Sequence, residues 1–410
     1  MSLISGPSAK GGAMERAERL APLMTQWRRA FHRRPERSFA EFRTAEQVAA
    51  ILESIPGMTV NRGAAGITTA VVGTIGTSGG RHVALRADMD ALPIEEPPAV
   101  PDFFSDTPGL MHACGHDGHM AILLGAAHLI ADSLALGEMT GQVTFIFQPA
   151  EETPDETGKT GAPLLVDAGV LDGVDAVMAL HMDPGTPVGS IRLHDGACMA
   201  HVDNFRARVI GEGGHAGYPN LAVDPLWLLL PVLEAVHGIR ARRLSPLDAA
   251  VLSVCHIEGG TTNNVIPPYV DLAGTLRSYH DDVRKTLVEE LERALSVAVA
   301  LGGRYELTVE RCEPAVSNSV VINRLLTRVV QEAIRSEPLW TGPFGMGGED
   351  FGFMSQKVPG SLFFLGCADP AGDPTNLHSP YFFMDERALP IGAAVFLETV
   401  KTILIDGLFQ

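Results

Sequence analysis

The sequence is organised around one dense stretch, Met111-His112-Ala113-Cys114-Gly115-His116-Asp117-Gly118-His119. It contains histidines, an aspartate and a cysteine, and imidazole, carboxylate and thiolate groups bind metals of the zinc, manganese and nickel kind. Cys114 and His116 would not share a face of a helix, so they can bind one centre only from a loop or a strand end. The apolar residues 120–130 predict a helix, which places the motif at a helix N-terminus, where the dipole favours a thiolate. A buried cysteine among scattered loop histidines is the alternative, but the density of ligand types favours a metal site.

Length and composition limit the classes of protein. A chain of 410 residues is long enough for two domains or more. Its net charge of −18 argues against nucleic acid and against an anionic membrane surface. The five cysteines are far apart and odd in number, which indicates reduced thiols in a cytoplasmic protein. We interpret the first dozen residues as a disordered leader, and we expect no apolar run capable of spanning a membrane.

Short apolar strands alternate with helices on both sides of the central motif, which predicts an α/β fold with a largely parallel, doubly wound sheet. The strands are expected at residues 69–72, 82–85, 142–147, 175–180 and 361–365. Ligands of such sheets bind beyond the carboxyl ends of the strands. The polar clusters at these ends are Asp88 with Asp90, the pair Glu151-Glu152, His181, and the stretch 376–380 that contains His378. We therefore expect these clusters to converge on one cleft.

The middle of the chain has a different pattern. Strand, helix, two strands, helix and strand follow one another between residues 203 and 309, which matches a small ferredoxin-like sheet with helices on one face. We interpret this βαββαβ segment as a domain inserted into the larger one. The predicted boundaries are 14–199 for the first part of the catalytic domain, 200–314 for the inserted domain and 315–410 for the second part.

The candidate ligands are more numerous than a structural zinc site requires. They are Cys114, His116, Glu152, His181 and His378. Five ligands are too many for one tetrahedral zinc but enough for two metals that share a bridging water. Glu151 is then a second carboxylate near that water, as a general base must be, and Asp90 is placed to orient a ligand histidine. Binding-site support and helix capping both remain open for Asp88, His112, Asp117 and His119.

Several motifs along the chain carry a family resemblance. They are Arg86-Ala-Asp-Met-Asp-Ala-Leu-Pro93, the central stretch, Gln148-Pro-Ala-Glu-Glu152, Gly213-Gly-His-Ala216, Asn264-Val-Ile-Pro267, Gly274-Thr-Leu-Arg277, Gly348-Glu-Asp-Phe351 and Leu377-His-Ser-Pro380. Together they resemble the co-catalytic metallopeptidases that include aminoacylase and glutamate carboxypeptidase. The hippurate hydrolase branch is the most similar, and it also holds plant indole-acetyl-amino-acid hydrolases and N-acetyl-diaminopimelate deacetylases.

The resemblance implies roles for residues in both domains. It implies two divalent ions per subunit (zinc, manganese or nickel) on the five candidate ligands, with Glu151 as general base. It also implies that His215 stabilises the tetrahedral intermediate of the partner subunit, and that Asn264 and Arg277 hold the substrate carboxylate. The inserted domain would serve as a lid and mediate a homodimer. Departures from the family pattern, such as Asn263 before Asn264, affect the expected pocket wall and leave the substrate open.

The leading hypothesis is a metal-dependent amidohydrolase that cleaves N-acyl amino acids, of the acetyl, benzoyl or indole-acetyl type, to a carboxylate and a free amino acid. A dipeptidase or carboxypeptidase and an N-carbamoyl amidase are alternatives of the same class. A non-catalytic metal-binding homologue is a second class, against which the retention of Glu151 and all five ligands argues. An interaction module is a third, supported only by the inserted domain.

Overall fold

The structure is a computed structural model that describes residues 11–97, 103–336, 339–372 and 375–408. Apart from Gly11 and Gly12, the predicted leader lies outside these residues. The described chain forms two compact units. The first takes the described residues within Met1–Gly196, Ser317–Gly342 and Asp350–Gln410, and the second consists of Ala197–Val316 and Pro343–Glu349.

The secondary structure alternates as the sequence predicts. The strands are β1 (Thr59–Arg62), β2 (Val71–Gly76), β3 (His82–Asp88), β4 (Gln142–Gln148), β5 (Ala176–Pro187), β6 (Ile191–Leu193), β7 (Gly196–Met199), β8 (His201–Ile210), β9 (Gly214–His215), β10 (Ala250–Glu258), β11 (Val265–Ile266), β12 (Tyr269–Ser278), β13 (Arg304–Glu313), β14 (Val316–Asn318), β15 (Leu339–Trp340) and β16 (Gly360–Ala368). The helices are α1 (Ala13–Arg33), α2 (Phe42–Glu53), α3 (His116–Ala135), α4 (Gly161–Asp167), α5 (Pro225–Arg242), α6 (Asp281–Leu295), α7 (Val297–Ala300), α8 (Val320–Val329), α9 (Phe351–Lys357) and α10 (Ala388–Asp406).

The first unit is built on a sheet with the strand order β1-β2-β4-β3-β5-β16-β6-β15. Its centre, β4-β3-β5-β16, is parallel, and the side chains of these strands are buried along almost their whole length. Strands whose two faces are both buried consist of nearly continuous apolar residues, as these do. The predicted α/β class with a mostly parallel sheet is therefore confirmed. The antiparallel pairing of β1 with β2, and of β2 with β4, was not predicted.

Helices α3 and α10 belong to the core of this unit. By length and composition both are apolar enough to cross a membrane, so the prediction that no run qualifies was wrong. The reason is their position: 78% of the apolar window of α3 and 72% of that of α10 are buried inside the fold. A helix enclosed by other elements on most sides becomes apolar nearly all round.

The second unit contains an antiparallel sheet with the order β10-β12-β8-β13. Helices α5 and α6 share one apolar core with this sheet, in which Phe205 and Val209 of β8 meet Leu228 of α5 and Leu287 of α6. The βαββαβ order of the inserted domain is thus confirmed. The helix predicted over residues 282–301 differs, because it is divided at Ser296 into α6, which ends at Leu295, and the short α7.

Candidate metal centre

The central motif crosses a boundary between loop and helix. Cys114 lies in the loop, Gly115 is the N-cap of α3, and His116 is the first residue of the helix. Gly115 has φ +89°, and a Cβ there would lie 3.0 Å from Met182. A left-handed conformation in so close a space suits glycine alone. The turn it allows is what lets Cys114 and His116 face the same side.

The five predicted ligand residues come together at the carboxyl ends of the parallel strands. Cys114 Sγ lies 3.4 Å from His181 Nε2 and 3.3 Å from His378 Nε2. Glu152 Oε1 lies 3.4 Å from His378 Nε2 and 3.8 Å from His116 Nε2. The ligand atoms form overlapping groups, each within 4.8 Å: Cys114 with His116 and His181, Cys114 with Glu152 and His378, and His116 with Glu151 and Glu152. Adjacent groups that share members can hold two neighbouring ions.

Hydrogen bonds on the far side of the rings decide which histidine nitrogens face the cluster. His116 Nδ1 is 2.9 Å from the carbonyl oxygen of Asp90, and His181 Nδ1 is 2.8 Å from that of Met182. Because a carbonyl only accepts, each Nδ1 carries a hydrogen, which leaves Nε2 as the nitrogen that can bind a metal once it is deprotonated. His116 Nε2 is buried and has no hydrogen-bond partner among the described residues. This is the tautomer and orientation that a metal ligand requires, so the residues fit a metal site.

The surroundings of the cluster favour positive charge. Burial lowers the pKa of His116, but the carboxylates of Asp88, Asp90 and Glu152 outweigh it and raise that pKa to about 10. The same negative field would stabilise a divalent cation. Burial, together with the charge of Glu152, raises the pKa of the Cys114 thiol well above its usual value. The helix dipole favours the thiolate as expected from the sequence, but without a bound ion burial and the carboxylates outweigh the dipole and favour the thiol.

Asp90 connects two parts of the cluster. Its carboxylate lies 3.4 Å from His116 Nδ1. It also accepts hydrogen bonds from the backbone N–H groups of Glu151 at 3.1 Å and Glu152 at 3.0 Å, and from the Ser38 hydroxyl at 2.6 Å. The glutamate pair and a candidate ligand histidine are thus fastened to one buried carboxylate.

Asp88 and His119 form a buried hydrogen-bonded pair. The Asp88 carboxylate lies 2.6 Å from His119 Nδ1 and accepts from Arg86 at 2.7 Å. His119 Nε2 accepts from the backbone N–H of Met182 at 2.9 Å. Both ring nitrogens of His119 are therefore occupied within the protein, which leaves this histidine a supporting position next to the cluster.

Asp117 anchors α3 to α1. Its Oδ2 lies 2.7 Å from Arg28 Nε and 2.8 Å from His32 Nδ1, and its Oδ1 has no hydrogen-bond partner among the described residues, so it caps no backbone N–H. Helix capping is thus not its role. His112 is fully buried, and neither of its ring nitrogens has a hydrogen-bond partner among the described residues. Burial lowers the pKa of His112 to about 4, so the neutral ring is favoured at physiological pH.

Two groups beside the site were given no role from the sequence. Arg86 binds Gln148 at 2.9 Å and Asp350 at 2.8 Å, and Asp350 also accepts from Ala162 N–H at 3.1 Å. A charged residue inside the apolar strand β3 was the available signal, because a buried arginine needs carboxylate partners. The second group is Glu41, a carboxyl with no exposed surface that accepts a hydrogen bond from the Ala150 N–H at 2.8 Å.

The three remaining predicted site residues lie in the second unit. His215 of β9 is paired with Val265 of β11, and the N–H of Ala216 donates to the Asn264 carbonyl at 3.1 Å. His215 is exposed, and its Nδ1 accepts from Gly217 N–H at 2.9 Å. Arg277 is on β12, opposite Val202 and Val251 of the neighbouring strands. His215 and Asn264 are thus neighbours, and the roles of all three residues stay predictions.

Comparison with known proteins identifies similar chains. Residues 84–402 match the model of Peptidase family M20/M25/M40. The thermostable carboxypeptidase 2 of Saccharolobus solfataricus is 38% identical over 380 residues, 90% of this chain and 92% of that protein. The N-acetylcysteine deacetylase of Bacillus subtilis is 34% identical over 385 residues, 92% and 96% of the two chains. The IAA-amino acid hydrolase ILR1-like 4 of Arabidopsis thaliana is 34% identical over 392 residues, 92% and 85% of the two chains.

A solved structure extends the similarity to three dimensions. The crystal structure of the Bacillus subtilis YXEP protein, described as a dinuclear metal binding peptidase from the M20 family, has a TM-score of 0.81 to this fold. The two chains are 31% identical, and the match covers 94% of this chain and 99% of that one.

Proposed function

The chain belongs to Peptidase family M20/M25/M40, and we propose that within this family it is a metal-dependent amidohydrolase that cleaves N-acyl amino acids to a carboxylate and a free amino acid. One observation carries the proposal: the five ligand-type residues and Glu151 converge at one sheet edge. The relatives named as N-acetylcysteine deacetylase and IAA-amino acid hydrolase support the substrate class.

We propose that two divalent ions occupy the cluster, held by Cys114, His116, Glu152, His181 and His378. When bound, such ions would polarise the amide carbonyl and lower the pKa of a water molecule. Zinc, manganese and nickel all suit a donor set of thiolate, imidazole and carboxylate. We expect the chain to belong to the hippurate hydrolase branch, and the acyl group that it removes to be of the acetyl, benzoyl or indole-acetyl type.

In this proposal Glu151 is the general base. It belongs to one ligand-atom group with His116 and Glu152, so its carboxylate is within reach of a water beside the cluster. Glu151 takes a proton from the attacking water and then passes it to the leaving amine. We assign His215 to the developing oxyanion, and Asn264 and Arg277 to the substrate carboxylate, on the family resemblance. A homodimer through the inserted domain and a cytoplasmic location complete the proposal; the latter is supported by five free cysteines.

A dipeptidase or carboxypeptidase is the second candidate function. It is favoured by the similarity to the thermostable carboxypeptidase 2. Both reactions break an amide next to a free carboxylate and need the same base and metals. The two reactions differ in the group on the acyl side of the bond. An N-carbamoyl amidase would differ from both in the same respect.

The proposal is tested by metal removal and a substrate screen. Dialysis against a chelator should abolish hydrolysis, and a divalent ion should restore it, because Glu151 would act on a water whose pKa only the bound ions lower enough for attack. Acetyl-, benzoyl- and indole-acetyl-amino acids, dipeptides and N-carbamoyl compounds should then be compared by kcat/KM. Undiminished activity in fully stripped protein would rule out the metal mechanism. A metal-loaded protein that cleaves nothing in the screen would indicate a non-catalytic homologue.

A further inference from the structure

The turn that carries the glutamate pair is held from behind by two buried carboxyl groups. Asp90 accepts from the N–H groups of Glu151 and Glu152. The N–H just before them, that of Ala150, donates to Glu41 Oε1 at 2.8 Å. Three consecutive backbone N–H groups of the turn thus donate to carboxylates of residues that are distant in sequence.

The turn needs such support because its backbone is strained. Ala150 has φ +51°, in the left-handed region that residues with a Cβ rarely adopt. Strained conformations at functional sites persist only when their surroundings hold them. The carbonyl of Ala150 accepts from Gly161 N–H at 2.8 Å, so both polar groups of this peptide position are fixed, and Glu41 supplies one of the two bonds.

Glu41 comes from a part of the chain that the mechanism does not use. The segment Glu36–Glu41 connects α1 to α2 and contacts the strand-end loops at several points. The Glu36 carbonyl accepts from Ala91 N–H at 2.9 Å, the Ser38 hydroxyl donates to Asp90, and Glu41 Oε1 accepts from Phe39 N–H at 3.0 Å as well as from Ala150. Glu41 has no exposed surface. Burial and the nearby Asp90 raise its pKa to about 7, although the hydrogen bond from the Ala150 N–H lowers it.

We propose that Glu41 is a positioning residue for hydrolysis: by accepting the Ala150 N–H it fixes the strained turn that aims Glu151 at the reacting water and Glu152 at the metals. The proposal rests on the roles that Proposed function assigns to those two glutamates. Glu41 itself touches neither substrate nor metal. It acts through the length and direction of its side chain.

Three variants separate reach from charge. Glu41→Gln keeps the length of the side chain and an oxygen acceptor, Glu41→Asp keeps the charge but is one methylene shorter, and Glu41→Ala removes both. Glu36→Gln is the matched control, because Glu36 is a buried carboxyl of the same segment that binds Thr44 of α2 and leaves Ala150 untouched. All variants are compared with wild type as metal-loaded full-length enzyme, well below the midpoint of thermal unfolding.

The readouts are metal affinity by titration with zinc or manganese, kcat and KM separately, and hydrogen exchange of the Ala150 amide. In Glu41→Asp and Glu41→Ala we expect metal affinity or kcat to fall by about 10–100-fold, as for other groups that orient ligands. KM should change little, and exchange at Ala150 should be faster. Glu41→Gln and Glu36→Gln should stay close to wild type. Unchanged metal affinity, kcat and exchange in folded Glu41→Ala, or a loss in Glu41→Gln with a normal Glu41→Asp, would overturn the proposal.

A failure of the proposed function would look different. If Glu152→Gln keeps full metal occupancy, the ligand assignment is wrong, whatever the Glu41 variants do. If Glu152→Gln loses metal as expected but the Glu41 variants behave like wild type, the ligand assignment stands and the positioning role of Glu41 is wrong. Amide exchange at Ala150 reports on the turn in either case, because it depends on no substrate.

Discussion

At the scale of single residues, Glu151 and Glu152 are neighbours in sequence with different expected duties. The backbone N–H groups of both residues donate to Asp90. Glu152 Oε1 lies within 3.8 Å of two histidine nitrogens, and the Glu151 carboxylate lies beside them in the group with His116 and Glu152. We predict that Glu151→Gln keeps metal and fold but lowers kcat by about 10²–10⁴-fold, the usual contribution of a general base. Glu152→Gln should lose metal first. Turnover and elemental analysis of both purified variants check this.

The pair of variants also contains its own control. Each changes one carboxylate to an amide of the same shape, so a general effect of lost charge would affect both alike. Near-normal turnover of Glu151→Gln, or full metal content in both variants at limiting metal, would mean that the two roles are exchanged or wrong. Cys114→Ser should behave like Glu152→Gln and weaken metal binding, because a hydroxyl is a poorer ligand than a thiolate.

Glu41 should also leave a signature in the pH dependence of stability. Its pKa is raised from 4.5 to about 7, so the folded state holds this proton more tightly than the unfolded chain does. The stabilisation is complete below pH 4.5 and is lost as the pH rises through 7, and it amounts to about 3 kcal/mol at most. Glu41→Gln cannot titrate and should gain stability relative to wild type over this range. Urea unfolding of the metal-free proteins at several pH values measures the difference, and parallel profiles would contradict the prediction.

The sequence could predict candidate ligands but not the groups that hold those residues in place. Cys114 and His116 were predicted from the density of ligand-type residues in one motif at a helix N-terminus, and Glu152 from its place after an apolar strand. Glu41 contacts Ala150 across 109 positions, and no local pattern encodes such a contact. The strained φ of Ala150 was equally hidden, because alanine gives no sign of a left-handed turn in the way that glycine does.

At the scale of elements, α4 begins directly against the turn of the glutamate pair. A Cβ on Gly161, the first residue of α4, would lie 1.9 Å from the carbonyl oxygen of Pro149. Gly161→Ala should therefore push this backbone away, lower metal affinity and destabilise the protein, although alanine is normally the better helix residue. Gly238 of α5 is the matched control, because nothing lies within 4 Å of its Cβ position. Gly238→Ala should be neutral or stabilising by up to about 1 kcal/mol.

The measurements are thermal unfolding and metal titration of both glycine variants. Equal metal affinity in Gly161→Ala and wild type would show that the turn tolerates the displacement, and would weaken the case for its precise placement. A loss of affinity in Gly238→Ala would instead point to a general effect of glycine replacement.

Elements with continuous apolar runs were predictable, and those at the edges were not. Strands β3, β4 and β16 are buried nearly throughout, so hydrophobicity alone identifies them. Strand β1 is mostly exposed and carries polar residues, which a loop would also carry. The helix break at Ser296 has no glycine or proline signal, so the 282–301 region was read as one helix.

At the scale of the whole molecule, the second unit exposes large apolar side chains. Tyr218, Leu221, Trp227, Leu230 and Leu247 are 60%, 77%, 53%, 61% and 95% exposed. Exposed apolar surface of this kind is typical of regions that bind another protein. The exposed edges of the sheet, β10 and β13, offer unpaired backbone groups as well. These features support the proposed homodimer through the inserted domain, which sedimentation of the purified protein would test.

If the dimer forms, we predict that His215 completes the active site of the partner subunit. His215 is exposed on the short strand β9, so its ring is free to approach another surface, and one oxyanion donor contributes roughly 10²–10³-fold in turnover. Glu151→Gln and His215→Ala subunits should each be nearly inactive alone. In an equal mixture with random exchange, one site in each heterodimer keeps both residues, so about a quarter of wild-type activity should return.

The control for this experiment is a mixture of Glu151→Gln with the double variant Glu151→Gln, His215→Ala, in which no site can keep a general base. It must stay inactive, and subunit exchange must be demonstrated separately with labelled chains. If exchange occurs and the mixture of single variants stays inactive, His215 does not act across the subunit boundary. Restored activity would tie catalysis to assembly, because a monomer would then lack the donor that stabilises the developing oxyanion.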